Sequence, residues 1–152
     1  MPFRFPARPQ SACILLLSLA ACLMAGCGAQ RDPKLPATVP VSGKVSLKGA
    51  PLEIGTITFH PDENSKGNPA DGRLLAGGEF ALSTYQSGDG AVLGKHKVTI
   101  QIPPRLDGEP PRPASLFVPK EYTAIQSTPL TAEVTEKGEN RFEFTVEESK
   151  GK

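Results

Sequence analysis

The chain has 152 residues, with 17 basic and 16 acidic side chains. Its three cysteines, Cys13, Cys22 and Cys27, all lie within the first 27 residues. Because no cysteine follows Cys27, the rest of the chain can form neither a disulfide nor a thiolate site. Removing residues 1–26 would also remove Arg4 and Arg8, leaving 15 basic against 16 acidic side chains. This balance gives no electrostatic basis for binding nucleic acid.

The N-terminus has the layout of a secretory signal peptide. Two arginines precede an apolar run at residues 12–24, and small residues and a cysteine follow it. The run is shorter than the ~20 residues that a membrane-spanning helix needs. This arrangement resembles the helical signal peptide of bacterial lipoproteins, in which a cysteine receives a diacylglyceryl thioether and becomes the first mature residue.

Two cysteines fit the lipidation motif of that family. Cys22 follows Leu-Ala-Ala, which is the closer match to the motif, and Cys27 follows Met-Ala-Gly. Cleavage before Cys27, however, would place the whole apolar run in the signal peptide and leave a polar start to the mature chain. We predict a signal peptide at 1–26, lipidation of Cys27 with Cys22 as the alternative, and a flexible tether over 27–38. Several acyl chains hold a protein stably on a membrane. The expected location is therefore the bacterial cell envelope, on a membrane face towards the periplasm or the exterior.

From residue 39 onwards apolar and polar side chains alternate with a period of two, which predicts half-buried strands. Gly77-Gly78 predicts a hairpin between the third and fourth strands, and 136–139 a closing hairpin between the last two. Residues 148–152 are expected to be a disordered tail. The fold class is predicted to be all-β, a β-sandwich over 39–147. Its seven predicted strands are 39–47, 55–60, 73–76, 79–84, 94–102, 130–135 and 140–146.

Three segments resemble carboxypeptidase-regulatory-like domains. They are VSGKVSLKGAPL at 41–52, GEFAL at 78–82 and GKHKVTI at 94–100, where His96 replaces the usual aromatic residue. The resemblance implies a seven-stranded, Ig-like or prealbumin-like (transthyretin-like) β-sandwich. It also implies an accessory module with no catalytic residue of its own.

Neither histidine lies in a catalytic sequence pattern. His60 ends one predicted strand and His96 begins another, and no G-x-S-x-G elbow is present. A related transthyretin-like hydrolase family uses a histidine cluster and a C-terminal Tyr-Arg-Gly-Ser motif, which this chain lacks. We therefore predict no enzyme activity and no cofactor. His96 is expected to be a partly buried substitute for an aromatic side chain.

The loop after the second strand contains weak candidates for a calcium site, Asp62, Asn64 and Asp71. However, Lys66 and Arg73 occupy the fifth and twelfth loop positions, where a calcium loop needs oxygen ligands. We expect a solvated loop and no metal.

Residues 103–129 carry seven prolines and predict a long, stiff crossover. Pro110, Pro111, Arg112 and Pro113 are the candidate partner-binding loop, since extended proline-rich segments dock on aromatic grooves. The alternative is a rigid loop that protects a sheet edge. Within the crossover, 116–118 and Tyr122 are the predicted apolar anchors.

Together these features predict a membrane-anchored lipoprotein that acts as a non-catalytic binding or structural module for an unidentified envelope protein. The alternative is a glycan-binding module on the same fold, with Tyr85 and Tyr122 as its few aromatic candidates and no tryptophan in the chain.

Overall fold

The computed structural model describes residues 32–63, 65–113 and 116–147. The predicted signal peptide, Cys22, Cys27, Asn64 and the predicted tail at 148–152 lie outside the described residues. The fold described below belongs to the compact unit that begins at Pro33. Within the described ranges, no helix is long and apolar enough to cross a membrane.

The fold is all-β, as the alternation predicts, but the described residues form ten strands rather than seven. One predicted strand, 39–47, is divided into two, and two additional short strands, Ala50–Pro51 and Ala91–Val92, appear in the loops. Short 3₁₀ turns occur at Ala76–Gly78 and Lys120–Thr123. The strands are β1 (Thr38–Val39), β2 (Ser42–Leu47), β3 (Ala50–Pro51), β4 (Thr56–Pro61), β5 (Ala70–Arg73), β6 (Glu79–Ala81), β7 (Ala91–Val92), β8 (Gly94–Gln101), β9 (Thr131–Val134) and β10 (Arg141–Val146).

Two four-stranded sheets carry the fold. In the first, the β2 sheet, β10 pairs with β2 in parallel, while β3 and β6 pair with the opposite side of β2. The second, the β8 sheet, is antiparallel throughout, in the order β5-β4-β8-β9. A short ladder of β1 with β7 pairs Thr38 with Val92. Thr38, which the sequence assigns to the tether, therefore already belongs to the folded domain.

The two sheets share one apolar core. Ile57 and Phe59 of β4, together with Val98 and Ile100 of β8, are fully buried, as their alternation predicts. The ring of Phe59 lies 6.2 Å from that of Phe80 and 5.9 Å from that of Phe144, centroid to centroid. Because these two partners belong to the β2 sheet, aromatic contacts connect the two sheets directly.

The closing hairpin predicted from the sequence is wrong. β9 pairs with β8, whereas β10 pairs in parallel with β2. The side chain of Asn140 explains the separation, because its Nδ2 donates to the Thr135 carbonyl and its Oδ1 accepts from the Thr135 N–H. The backbone groups that would start a β9–β10 ladder are thereby already paired, and β10 continues to the other sheet.

The hairpin predicted around Gly77-Gly78 is formed only in part: the N–H of Leu75 donates to the Glu79 carbonyl at 2.8 Å and Asp71 bridges Ser83, but the strand ladders lie elsewhere. Strand β5 lies three residues earlier than predicted and pairs with β4, while β6 pairs with β2. Gly78 has a positive φ of 71°, and a Cβ atom there would collide with the carbonyl of Val45. The chain does reverse at these glycines, but the turn carries it from one sheet to the other.

The proline-rich crossover lies partly along the β8 edge. The N–H of Val98 donates to the Leu130 carbonyl at 3.0 Å, and the Thr128 hydroxyl donates to the Val98 carbonyl. Val118 and Tyr122 are buried, as expected of anchors, but Phe117 is 65% exposed and is not one. The second half of the crossover therefore covers the part of β8 that β9 does not reach.

Candidate functional site

The two long flanks of the domain differ in their hydrogen bonding. On one flank, the N–H of Asp71 in β5 donates to the Ser83 carbonyl and the Ser83 N–H donates back, both at 2.9 Å. This bridge connects the edge of the β8 sheet to the segment that follows β6. On the other flank, β9 and β10 are the last strands of their sheets. We call this second flank, formed by the edges of β9 and β10, the open flank.

A groove of about 400 Å³ is lined by residues of β8 and β9. Lys95 and Lys97 of β8 are exposed, and they lie opposite Glu133 and Thr131 of β9 in the register. Asp62 lies at the end of the groove, where its backbone N–H donates to the Lys95 carbonyl at 2.9 Å. Two cationic and two anionic side chains therefore line the same surface. This mixture suits a polar ligand with both donors and acceptors better than a highly charged one.

His96 is 2% exposed and faces the core, where its ring lies 5.8 Å from that of Phe59. Its Nδ1 lies 3.0 Å from the Gly94 carbonyl, so Nδ1 carries the proton and donates. The Nε2 atom is buried and has no hydrogen-bond partner among the described residues. Burial lowers the pKa of His96, the bond to Gly94 opposes this, and nearby His60 lowers it further. The side chain is therefore a neutral aromatic filler at neutral pH.

His60 projects from the opposite face of the same sheet. Its Nε2 lies 2.9 Å from the hydroxyl of Thr99, which is 2% exposed despite its position on the polar face. Burial lowers the pKa of His60, although the Asp71 carboxylate raises it. Asp71 itself accepts a hydrogen bond of 2.7 Å from the Thr58 hydroxyl. These polar groups form a row across β5, β4 and β8 that joins the strands.

The two histidines do not share a site, because the sheet separates their side chains. His96 lies on the side of Val98 and Ile100, whereas His60 lies on the side opposite Ile57 and Phe59. Each ring nitrogen that forms a bond contacts a group of its own sheet. The geometry therefore gives each histidine a role in packing or in joining strands.

Two of the calcium candidates, Asp62 and Asp71, are not brought together. Asp71 lies opposite Thr58 in the register, whereas Asp62 follows the end of β4, four residues further along. At ~3.3 Å per residue, the two positions are roughly 13 Å apart. Among the described residues, no group of three or more His, Cys, Asp or Glu side chains could hold a metal ion.

The candidate partner-binding loop is exposed and held by one arginine. Pro110, Pro111 and Pro113 are exposed, while Arg112 is half-buried. The Arg112 guanidinium donates to the Pro103 carbonyl and, at 3.2 Å, to the Glu109 carboxylate. Because these contacts are within the crossover, the loop closes on itself and presents its prolines to solvent.

The sequence pattern does not predict the open flank. It places β9 and β10 in one hairpin, which would pair them with each other. The local signal that could have corrected this is Asn140, because an asparagine side chain can replace a backbone partner at the start of a strand. The parallel pairing with β2, about 100 residues away, leaves no local signature.

Comparisons with models of protein families, with curated proteins and with solved structures find no match. The resemblance to carboxypeptidase-regulatory-like domains therefore stays a prediction.

Proposed function

We propose that this chain is a lipid-anchored β-sandwich module of the bacterial cell envelope, which binds an envelope protein and catalyses no reaction. Cys27, or alternatively Cys22, carries the anchor, and the short segment that follows holds the domain near the membrane. The fold is of the prealbumin-like type, in which two sheets enclose one core. The layout of the leader and the contacts of Phe59 with both sheets support this proposal.

The observation that carries the binding role is the open flank. An extended partner segment can add to a free sheet edge, where its backbone supplies the hydrogen bonds and alternate side chains supply the specificity. Thr131 and Glu133 alternate with buried residues in β9, and the groove of Lys95 and Lys97 lies beside them. A partner strand along β9 would thus place polar side chains over this groove.

The glycan-binding alternative would need an exposed aromatic platform. Tyr122 is buried, and the hydroxyl of Tyr85 accepts a bond of 3.4 Å from the Asn68 N–H. Phe117 is the exposed aromatic residue of the described chain and lies on the crossover. A glycan array probed with the full chain and with Phe117→Ala tests this alternative. Sugar binding that the substitution abolishes would favour it over a protein partner.

Site-specific photo-crosslinking in cells tests the protein partner. A photoreactive residue at Glu133, in the groove, is compared with one at Arg73, an exposed position of β5 on the opposite flank. We expect an adduct of defined mass from position 133 and none from position 73. Equal labelling at both positions, or none at 133, would contradict a docking role for the open flank.

The anchor is tested separately by detergent phase partition. The full chain should enter the detergent phase, and replacement of Cys27 by alanine should move it to the aqueous phase. If only Cys22→Ala has this effect, the alternative lipidation site is the correct one. Retention of the double variant in the detergent phase would rule out a thioether anchor.

A further inference from the structure

The outer edge of β10 has a defined set of backbone groups. In the parallel ladder with β2, the N–H of Ser42 donates to the Asn140 carbonyl and the N–H of Lys48 donates to the Val146 carbonyl, both at 3.0 Å. The even-numbered residues of β10 therefore direct their backbone groups towards β2. The N–H and C=O groups of Arg141, Glu143 and Thr145 point away from the sheet.

The free part of this edge is limited at its C-terminal end. The next outward N–H, that of Glu147, donates to the Tyr122 hydroxyl at 3.4 Å. Tyr122 belongs to the buried half of the crossover, so a partner strand cannot extend past this point. Within the described chain, the outward backbone groups of Arg141, Glu143 and Thr145 form no backbone hydrogen bond.

The side chains along this edge are complementary to those of a second copy. Two antiparallel β10 strands centred on Phe142 would place Arg141 of each copy opposite Glu143 of the other. Centring on Glu143 instead would place two carboxylates opposite each other, which destabilises a sheet. Centring on Phe144 would place Glu143 opposite Thr145, so no opposite charges would meet in the central pairs, and it would place Arg141 opposite Glu147, whose N–H is already bonded. The first register is thus the one that both charge and free length allow.

Phe142 makes this register favourable on the inner face as well. Its ring stacks on Phe144 at 6.2 Å and contacts Phe59 at 5.7 Å, centroid to centroid. Unlike those two residues, it is only partly buried. In the register centred on Phe142, the two Phe142 side chains of a dimer are directly opposed, and each covers the open side of the other.

We propose that β10 is a self-association edge, through which two copies of this chain form a symmetric dimer with their β2 sheets joined antiparallel about Phe142. Two residue pairs connect the backbones by hydrogen bonds. In one pair Arg141 of the first copy lies opposite Glu143 of the second, and in the other Glu143 of the first copy lies opposite Arg141 of the second. The same pairs bring the opposite charges together on the solvent face, where Arg141 and Glu143 are exposed. Within the described residues, neither side chain has an ion-pair partner in its own chain.

The test is sedimentation equilibrium of the full chain in density-matched detergent micelles, and it does not depend on whether a cysteine is lipidated. Wild type should be a dimer. Arg141→Glu and Glu143→Arg should each weaken dimerisation at least tenfold, because both place like charges opposite each other. The double variant R141E/E143R exchanges the charges and should restore the dimer.

Two further variants separate pairing from folding. Glu143→Pro removes an outward N–H but none of the β2–β10 bonds, so the protein should fold and remain monomeric. Arg73→Glu, on β5, makes the same change of charge as Arg141→Glu and should leave the dimer intact. Circular dichroism confirms that each variant is folded.

A monomeric wild type would overturn the proposal, as would a dimer that resists all three β10 variants. Failure of the folded double variant to recover would overturn the register centred on Phe142. A monomer that still gives the adduct at position 133 would refute self-association and leave the proposed binding function standing.

Discussion

The Asn140 side chain holds both backbone groups of Thr135, accepting from its N–H at 2.9 Å and donating to its carbonyl at 2.8 Å. This single side chain terminates the β9 strand and releases β10 to the other sheet. A short connection between two strands therefore crosses from sheet to sheet instead of forming a hairpin.

Asn140→Ala should lower the free energy of unfolding by about 1–2 kcal/mol, because two hydrogen bonds of a partly exposed group are lost. Asn140→Asp keeps the acceptor and loses the donor, so it should lie between alanine and wild type. Urea denaturation at neutral pH measures both values. Equal stability of the alanine variant and wild type would show that the side chain does not fix this turn.

Gly43→Ala should be one of the most destabilising small substitutions in the domain. A Cβ atom there would meet the Phe142 carbonyl oxygen and lie 2.8 Å from the Phe80 ring. Overpacking of this kind costs about 3 kcal/mol. Gly49→Ala is the control: φ at Gly49 is +82° but the space around it is open, so only a backbone cost of about 1 kcal/mol is expected. The two unfolding curves should therefore differ clearly, and similar curves would argue against the close approach at Gly43.

Tyr122 and Phe117 provide a matched pair of aromatic residues on the crossover. Tyr122 is buried and Phe117 is 65% exposed. Tyr122→Ala should lower the free energy of unfolding by roughly 3–4 kcal/mol, as other buried aromatic truncations do. Phe117→Ala should change it by less than about 0.5 kcal/mol. Equal losses would mean that the crossover packs through Phe117 as well.

Stability should fall in mild acid. The pKa values of both histidines are lowered in the folded state, chiefly by burial. The pKa of a histidine in the unfolded chain is about 6.5, and above this pH both histidines are neutral in the folded and the unfolded state. Below it, the unfolded chain binds protons that the folded chain does not. The free energy of unfolding should therefore decrease as the pH drops below about 6.5.

His96→Phe should remove part of this pH dependence and keep the packing on Phe59. It also eliminates the buried Nε2 atom, which has no partner among the described residues. His60→Gln is the matched variant on the other sheet face and should remove a separate part. Denaturation at several pH values measures the slopes, and an unchanged slope in both variants would refute this assignment.

The alternation of side chains predicted the all-β class and the inward residues of β4 and β8 correctly. Burial on one sheet face is recorded in local sequence, because every second residue must be apolar. Thr99 shows the limit of this rule, since it occupies a polar-face position but is buried. Its hydroxyl lies 2.9 Å from Nε2 of His60, a side chain 39 positions earlier in the chain, and local alternation does not reveal such a contact.

Strand partners could not be predicted in the same way. Phe144 lies beside Val45 and Glu143 beside Lys44, pairings that depend on which sheet β10 joins. Turn residues locate a reversal of the chain but do not determine whether the next strand returns to the same sheet. The open flank follows from that choice, so it became visible only in three dimensions.

The Asp71–Ser83 bridge has a consequence for aggregation. Fibres of folded β domains grow when the strand at one edge of a sheet pairs with the strand at the opposite edge of the same sheet in the next molecule, because this contact can repeat without end. Here the outward groups of Asp71 are already satisfied within the molecule. The Asp71–Ser83 bridge thereby opposes head-to-tail addition of β5 of one molecule to β9 of the next, and so it opposes the growth of filaments.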